Sequence, residues 1–354
     1  MGTEPSIRSG GAFLTLLAYL VFPIILCIPE AFVTAELSTL YPEASGGVAW
    51  VEEAFGNMAG WIVGCLSWVA GVTDSAIYPA LFLDYWLQLL LPSFPMIANN
   101  HHVGGGVVRY TILTAITLLL GYINYRGLKV VGDMSLVLCA IAMAPFVVFC
   151  VLAIPKIETF RWFQMPSMDK NDQYTNLSGG FLPHATWGGV LWRPFLNNLL
   201  WNLNYFDTAA SFAADVRDPG RVYPRAMTWA VAMVMAAYFV PLLVVLGASN
   251  ASQEDWVNGY LATAIANVQG PWLGAWVVFG ITVSNVGLYL AEMSYISFKV
   301  LGMAERGFLP RAFQQRSPYG TPTYGILVST AVIVVLNVGK LDTLVEMLNF
   351  NYSM

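Results

Sequence analysis

Charge is what this sequence has least of. Only 10% of its 354 residues are Asp, Glu, Lys or Arg, against about 25% in a soluble globular domain. Sixteen basic and 21 acidic side chains are too few to solvate the outside of a compact chain of this length. A water-soluble enzyme and a disordered protein are therefore poor fits. The net charge is -5 and no basic block interrupts it, which argues against a nucleic-acid binder. Cysteine is also sparse: Cys27, Cys65, Cys139 and Cys150 all lie inside apolar runs, without a CxxC pair. Neither a disulfide framework nor a zinc site is expected, and the thiols read as buried and inert. His101, His102 and His184 fall in polar connecting segments, away from any Cys or HExxH pattern. No metal or cofactor is expected.

What the chain does have is apolar length. Hydrophobic residues make up 57% of it, and its mean hydropathy is +0.62. A membrane-spanning helix needs about 20 mostly apolar residues. Eight segments meet that need, at 12–38, 58–91, 107–124, 130–154, 190–215, 226–248, 271–300 and 322–338, and a ninth begins near 342. The expected fold is therefore all-α, a polytopic helix bundle in a lipid bilayer. Residues 156–189 are long enough for an external loop with structure of its own, and 252–268 for a short surface helix starting after Ser252.

The few basic residues give the orientation, because Lys and Arg in short loops stay cytoplasmic. Arg126, Lys129, Arg217, Arg221, Arg225, Arg306, Arg311 and Arg316, with Lys299 at a helix end, put nine of the 16 on one side. The intervening short loops 92–106 and 249–270 have none. The loop 40–57, on the basic side, carries no Lys or Arg and breaks the pattern. This orientation places residues 1–11 outside, yet nothing before Gly10 resembles a signal peptide. A spanning segment upstream is expected, and the last helix is expected to continue beyond Met354. Two sequons, Asn176-Leu-Ser178 and Asn250-Ala-Ser252, fall in the outside loops and agree with the orientation.

Ionisable groups within spans are costly and are functional hypotheses by default. Glu30, Asp74, Asp84, Asp207 and Glu292 all lie within apolar segments, whereas the basic side offers Arg193 and Lys299, both near helix ends. Such acids are protonated, face a water-filled cavity or bind a cation. Asp74 and Tyr78 share a helical face at i, i+4, with Pro79 beside them to remove a backbone hydrogen bond. Asn285, Tyr289 and Glu292 share another at i, i+4, i+7. The competing reading makes these carboxyls packing groups, hydrogen-bonded to a neighbouring helix. The run Trp201-Asn202-Leu203-Asn204-Tyr205-Phe206-Asp207 interrupts an apolar segment with residues that favour caps and breaks. A discontinuous helix is expected here, of the kind that binds solute and coupling ion at the bilayer midplane. The alternative is a polar but continuous helix. Glu36, Glu43, Glu52 and Glu53 read as surface or ion-pair groups.

Three blocks resemble the amino acid–polyamine–organocation transporter superfamily, most nearly its plant and protozoan amino acid and polyamine permeases. They are Thr34-Ala-Glu-Leu-Ser-Thr-Leu-Tyr-Pro-Glu-Ala-Ser-Gly-Gly47; Trp201 to Asp207 with Asp218-Pro-Gly-Arg-Val-Tyr-Pro-Arg225; and Ala291-Glu-Met-Ser294 with Leu301-Gly-Met-Ala-Glu-Arg-Gly-Phe-Leu-Pro310 and Tyr319-Gly-Thr-Pro322. The resemblance implies a five-plus-five inverted repeat of the LeuT-like type. Residues 1–354 would form one transporter domain holding family helices two to nine, with parts of one (residues 2–10) and ten. It implies that solute sits between broken helices one and six. It puts Trp201 at an aromatic lid, Asp207 at a position linked to proton coupling, and Asp74, Tyr78 and Glu292 on the pocket faces of helices three and eight. Asn202, Asn204, Asn285 and Tyr289 complete the expected substrate-binding set. The expected function is secondary transport of amino acids or polyamines, proton-coupled and favouring a cationic solute, in the plasma membrane. The expected partners are the small-molecule solute, protons and lipid, and not nucleic acid. A non-transporting fragment, or an amino-acid sensor on the same fold, is the alternative. A membrane enzyme finds no metal-ligand spacing, nucleophile–base motif or phosphate loop to support it.

Overall fold

The computed structural model describes residues 2–90, 103–164, 186–187 and 189–339. The ninth apolar segment, most of the 156–189 stretch, the sequon at Asn176 and all three histidines lie outside the described residues.

The described chain is mostly helical. In order it runs α1 (Glu4–Phe22), a π-helical turn (Pro23–Cys27), α2 (Ile28–Leu40), α3 (Gly47–Phe55), α4 (Asn57–Leu90), α5 (Val103–Tyr125) and α6 (Leu128–Ala153). Two-residue strands β1 (Thr186–Trp187) and β2 (Val190–Leu191) pair antiparallel, a small exception to the all-α expectation. Then follow α7 (Trp192–Leu203), a 3-10 helix (Phe206–Asp215), α8 (Pro219–Ala248), α9 (Tyr260–Gln269), α10 (Pro271–Glu305) and α11 (Thr323–Leu336). Ser252 and Asp255 form a reciprocal capping box ahead of α9, where the surface helix was expected.

Six described helices are long and apolar enough to cross a membrane: Glu4–Leu40, Asn57–Leu87, Gly106–Tyr125, Leu128–Lys156, Pro219–Ala248 and Pro271–Glu305. Two of the eight expected spans do not qualify. The 190–215 segment is divided between α7 and the 3-10 helix, and α11 has 14 residues. The outer faces explain why the long helices need lipid. On α6, Leu136 is 74% and Val151 62% exposed, a liability in water that hydrocarbon removes.

Local chemistry accounts for the interruptions. α1 is broken at Gly11, whose φ of 72° and ψ of 177° divide a short first helix from the long one that follows. Glycine adopts a positive φ without the Cβ clash that other residues suffer. The helix continues through Pro79 of α4 and Pro145 of α6.

The contacts divide the chain into two compact units. The first comprises 1–32, 143–206 and 225–278; the second comprises 33–142, 207–224 and 279–354. In the first, the residues before α1 are held by α7: Asn198 Nδ2 and Asn202 Nδ2 both donate to the Gly2 carbonyl, at 2.7 and 3.1 Å. In the second, α4, α5, α10 and α11 share a core that includes Val72, Ile77, Leu120, Tyr289, Met293, Ile296 and Ile333.

The loop 40–57, which carries no base, is ion-paired within the second unit. Arg306, just past α10, binds Glu43 twice, Nε to Oε2 at 2.7 Å and Nη2 to Oε1 at 3.0 Å, and also pairs with Glu52. The loop without bases of its own therefore sits against Arg306, a basic residue of another loop. Glu43, Glu52 and Glu53 are ion-pair groups, as expected.

Candidate functional site

In the second unit the expected residues on α4 and α10 come together in one acidic, largely buried group. Asp74 is 4% exposed. Its Oδ2 accepts a hydrogen bond from the Tyr78 hydroxyl at 2.8 Å. Its Oδ1 is buried and has no hydrogen-bond partner among the described residues. On α10, the hydroxyl of the fully buried Tyr289 is likewise without a partner. Asn285 is buried and donates to the Ile281 carbonyl one turn back, at 3.0 Å.

Glu292 is partly buried and lies within electrostatic range of Asp74, Asp207 and Lys299. Gly71, one turn before Asp74 on α4, allows this closeness: a Cβ there would come within 3.0 Å of Glu292 Oε1 and 3.1 Å of the Tyr295 hydroxyl. Asp207 is exposed, in the first turn of the 3-10 helix. Buried polar groups are nearly always hydrogen-bonded, so the bare carboxylate oxygen and the bare phenol are exceptions to that rule among the described residues.

Trp201, Asn202 and Asn204 belong to the first unit and flank the helix break. α7 ends at Leu203; Asn204 is extended (φ -102°, ψ -172°) and Tyr205 takes a φ of +82°. The discontinuous helix is therefore present, and the continuous alternative is not. Asn204 Oδ1 accepts from the Tyr205 N–H at 2.8 Å. Trp201 is 48% exposed and Asn204 is exposed as well. Asn202 is fully engaged: besides Gly2, its Nδ2 donates to the Asn198 carbonyl at 2.8 Å, and its Oδ1 accepts from the Tyr238 hydroxyl at 3.2 Å.

Both ends of the break are held by residues the sequence did not single out for that task. Cys27 Sγ donates to the Leu203 carbonyl at 2.9 Å, and Glu30 Oε1 accepts from the Phe206 N–H at 3.0 Å. They stand one turn apart, across the junction of the π turn and α2. No sequence signal pairs them with residues some 176 positions away.

Two expectations about charge are corrected. Asp84 has a local cation: Arg109 of α5 binds it through both terminal nitrogens, at 2.5 and 3.0 Å. Lys299 does not sit at a helix end. α10 continues to Glu305, leaving Lys299 5% exposed, with its ammonium 4.7 Å from the Tyr295 ring centroid and in electrostatic range of Asp207 and Glu292. Its spacing of seven residues from Glu292 was the available signal, since it puts both on one helical face. Outside the spans, bonding to Arg306 holds the Glu43 carboxyl below its ordinary range. Among the described residues no group of three or more His, Cys, Asp or Glu is placed to hold a metal ion.

A polytopic apolar helix set, a held-open helix break and a buried acidic group with bare polar atoms define an integral membrane protein of the permease type. The sequence profile of the amino acid permease family matches residues 2–353, and the chain belongs to that family. It is 41% identical over 355 residues to a "Probable polyamine transporter" of Arabidopsis thaliana, covering 100% of this chain and 68% of the relative. It is 38% identical over 351 residues to a polyamine transporter of Oryza sativa subsp. japonica, covering 99% and 60%. At greater distance, a branched-chain amino acid permease of Lactococcus lactis subsp. cremoris is 25% identical over 343 residues, covering 92% and 68%. The chain thus spans between 60% and 68% of the length of these relatives. All three are named as transporters or permeases, none as an enzyme.

Proposed function

We propose that this protein carries amine-bearing solutes, amino acids or polyamines, across a membrane by secondary active transport, with cationic solutes favoured. The observation that carries this reading is the acidic group of Asp74, Glu292 and Asp207. The bare Asp74 Oδ1 and Tyr289 hydroxyl lie within the same set of helices. An ammonium group supplies what each of these atoms lacks: charge for the carboxylates and N–H donors for their lone pairs. Asp74 and Glu292 would receive the solute's ammonium groups, with Tyr78, Asn285 and Tyr289 shaping the site. Trp201, Asn202 and Asn204 would act at the break, Trp201 as an aromatic contact.

The reading extends to a five-plus-five inverted-repeat arrangement, residence in the plasma membrane and alternating access around the broken helix. It also makes the transport proton-coupled, with Asp207 exchanging the proton, because an exposed carboxylate within electrostatic range of Glu292 can alternate between protonated and solute-bound states. The names of the plant relatives, as polyamine transporters, agree with a cationic solute.

Uptake of labelled putrescine, arginine and leucine by the full-length protein, in cells lacking their own carriers, tests this. Saturable putrescine or arginine uptake that rises with an inward proton gradient is expected. Saturable leucine uptake without either cation would overturn the cationic preference, and binding without flux would favour a sensor. Asp207→Asn is expected to flatten the pH dependence of uptake; an unchanged profile removes Asp207 from the coupling step.

A further inference from the structure

We infer that the turn joining α5 to α6 holds the headgroup of an anionic phospholipid, with Arg126 and Lys129 as its basic contacts. Several bases of this charge-poor chain are matched by its own acids: Arg221 by Asp218, Arg306 by Glu43 and Arg316 by Asp215. α5 shows the contrast within one helix. Near its start Arg109 is held by Asp84, whereas just past its end Arg126 makes no ion pair among the described residues. Lys129, three residues further on, is exposed and makes none either. Asp133 is the next acid along α6, and it too makes no ion pair among the described residues. A base four residues ahead of an acid is the less favourable order on a helix.

Arg126 is exposed but not loose. Its Nη1 donates to the Tyr122 hydroxyl at 3.2 Å, and its guanidinium carbon lies 5.9 Å from the Tyr122 ring centroid and 5.2 Å from that of Tyr319. Tyr319 is fixed in turn: its ring meets that of Tyr125 edge-on at 5.9 Å, and its N–H donates to the Ser317 hydroxyl at 3.1 Å. Thr321 Oγ1 donates to the Tyr125 carbonyl at 2.9 Å and ties the same loop to α5. Two rings and a hydrogen bond thus hold the guanidinium in one place, which lowers the ordering cost of binding. Its Nε and Nη2 have no partner among the described residues. A phosphodiester offers two unbridged oxygens and one negative charge, which suits that fork.

The apolar surface beside the turn selects a lipid over a dissolved anion. Leu119, Tyr122 and Arg126 follow i, i+3, i+7 spacing along one stripe of α5, and Leu119 and Tyr122 are exposed. On α6, Val130 and Val137 are exposed as well. Such surface needs hydrocarbon cover, and a phospholipid brings hydrocarbon and phosphate in one molecule. Any base at a membrane surface attracts anionic lipid; the tyrosine-held arginine adds a fixed geometry to that attraction.

Native mass spectrometry of the full-length protein, released from bilayers of phosphatidylglycerol and phosphatidylcholine in equal parts, tests this. The wild type is expected to retain phosphatidylglycerol about tenfold over phosphatidylcholine, as two bases near the surface allow. Arg126→Gln combined with Lys129→Gln should lose most of that preference, and Arg126→Lys part of it, because a point charge lacks the fork. Arg221→Gln removes an exposed base elsewhere and should leave the preference unchanged. Equal loss in Arg221→Gln would assign the preference to overall charge and overturn the site. A thermal shift by inorganic phosphate equal to that by phosphatidylglycerol would overturn the lipid as occupant. A wild type that retains both lipids equally overturns the proposal before any variant is made. None of these outcomes depends on which solute is carried.

Discussion

The side chain of Glu30 accepts the backbone N–H of Phe206 at 3.0 Å, so a carboxylate from one transmembrane segment closes the gap in another. Where α7 stops, the first N–H of the following 3-10 helix has no helical partner. An anion at that position also meets the positive end of the helix. Hydrogen bonds to charged groups contribute about 1.5–3 kcal/mol. Glu30→Ala is therefore expected to lower the initial uptake rate more than tenfold and to reduce thermal stability. Glu30→Gln, which keeps an acceptor oxygen, should recover part of both. Equal rates for wild type and Glu30→Ala would show that the break holds its shape without the carboxylate.

Asp84 and Asp74 are both acids on α4, and they should behave in opposite ways. Asp84 is ion-paired with Arg109 and is partly exposed. Its removal should cost about 1 kcal/mol of stability, as for pairs near a surface, and leave solute preference unchanged. Asp74 carries a buried oxygen with no partner, so Asp74→Asn should abolish uptake while holding or raising the melting temperature. Functional acids commonly trade stability in this way. A stable, fully active Asp74→Asn variant would assign the carboxyl to packing.

The Arg306–Glu43 contact predicts a pH dependence outside the membrane. Arg306 holds the Glu43 carboxyl below its ordinary range. A carboxylate lowered in the folded state stabilises above the unfolded value, about 4.3 for Glu, and that stabilisation is lost as pH falls through the folded value. The melting temperature of wild type should exceed that of Glu43→Gln between pH 5 and 8, within the range where the carboxylate is charged. The gap should narrow as pH falls below about 4.3, the unfolded value for Glu. A gap that widens on acidification would reverse the sign of the assignment.

Gly71 sets how closely α4 approaches α10. A methyl group there meets Ile296 and Glu292 Oε1, and overpacking of this kind costs about 1–3 kcal/mol. Gly71→Ala should weaken solute binding together with stability. Adding Ile296→Ala, which removes the opposing side chain, should restore part of both; such non-additivity is the mark of neighbours in contact. Strictly additive losses would place the effect elsewhere.

Some of this site could be read directly from the residue order. The break after Trp201 was legible because Asn and Asp in an apolar run disfavour a continuous helix, and the structure has it at Asn204 and Tyr205. The pairing of Asp74 with Tyr78 followed from helical spacing alone. The neutralisation of Asp84 by Arg109 was not legible, because 25 residues and a loop separate them. Lys299 was misplaced for a different reason: hydropathy falls before the helix ends, and α10 carries six more residues beyond it.

By itself the sequence determined that the chain lives in a membrane, which loops carry its positive charge, and which few acids lie within its apolar segments. Those properties follow from transfer free energies and from local periodicity, and both are additive along a chain. Only the tertiary structure decided which of the acids are spoken for. Glu30 belongs to a helix break, Asp84 to Arg109 and Glu43 to Arg306, while Asp74 and Glu292 remain around bare polar atoms with Lys299 nearby. The physical reason is distance: a charge's role depends on what lies within a few ångströms of it, and packing brings together residues that the order of the chain keeps far apart.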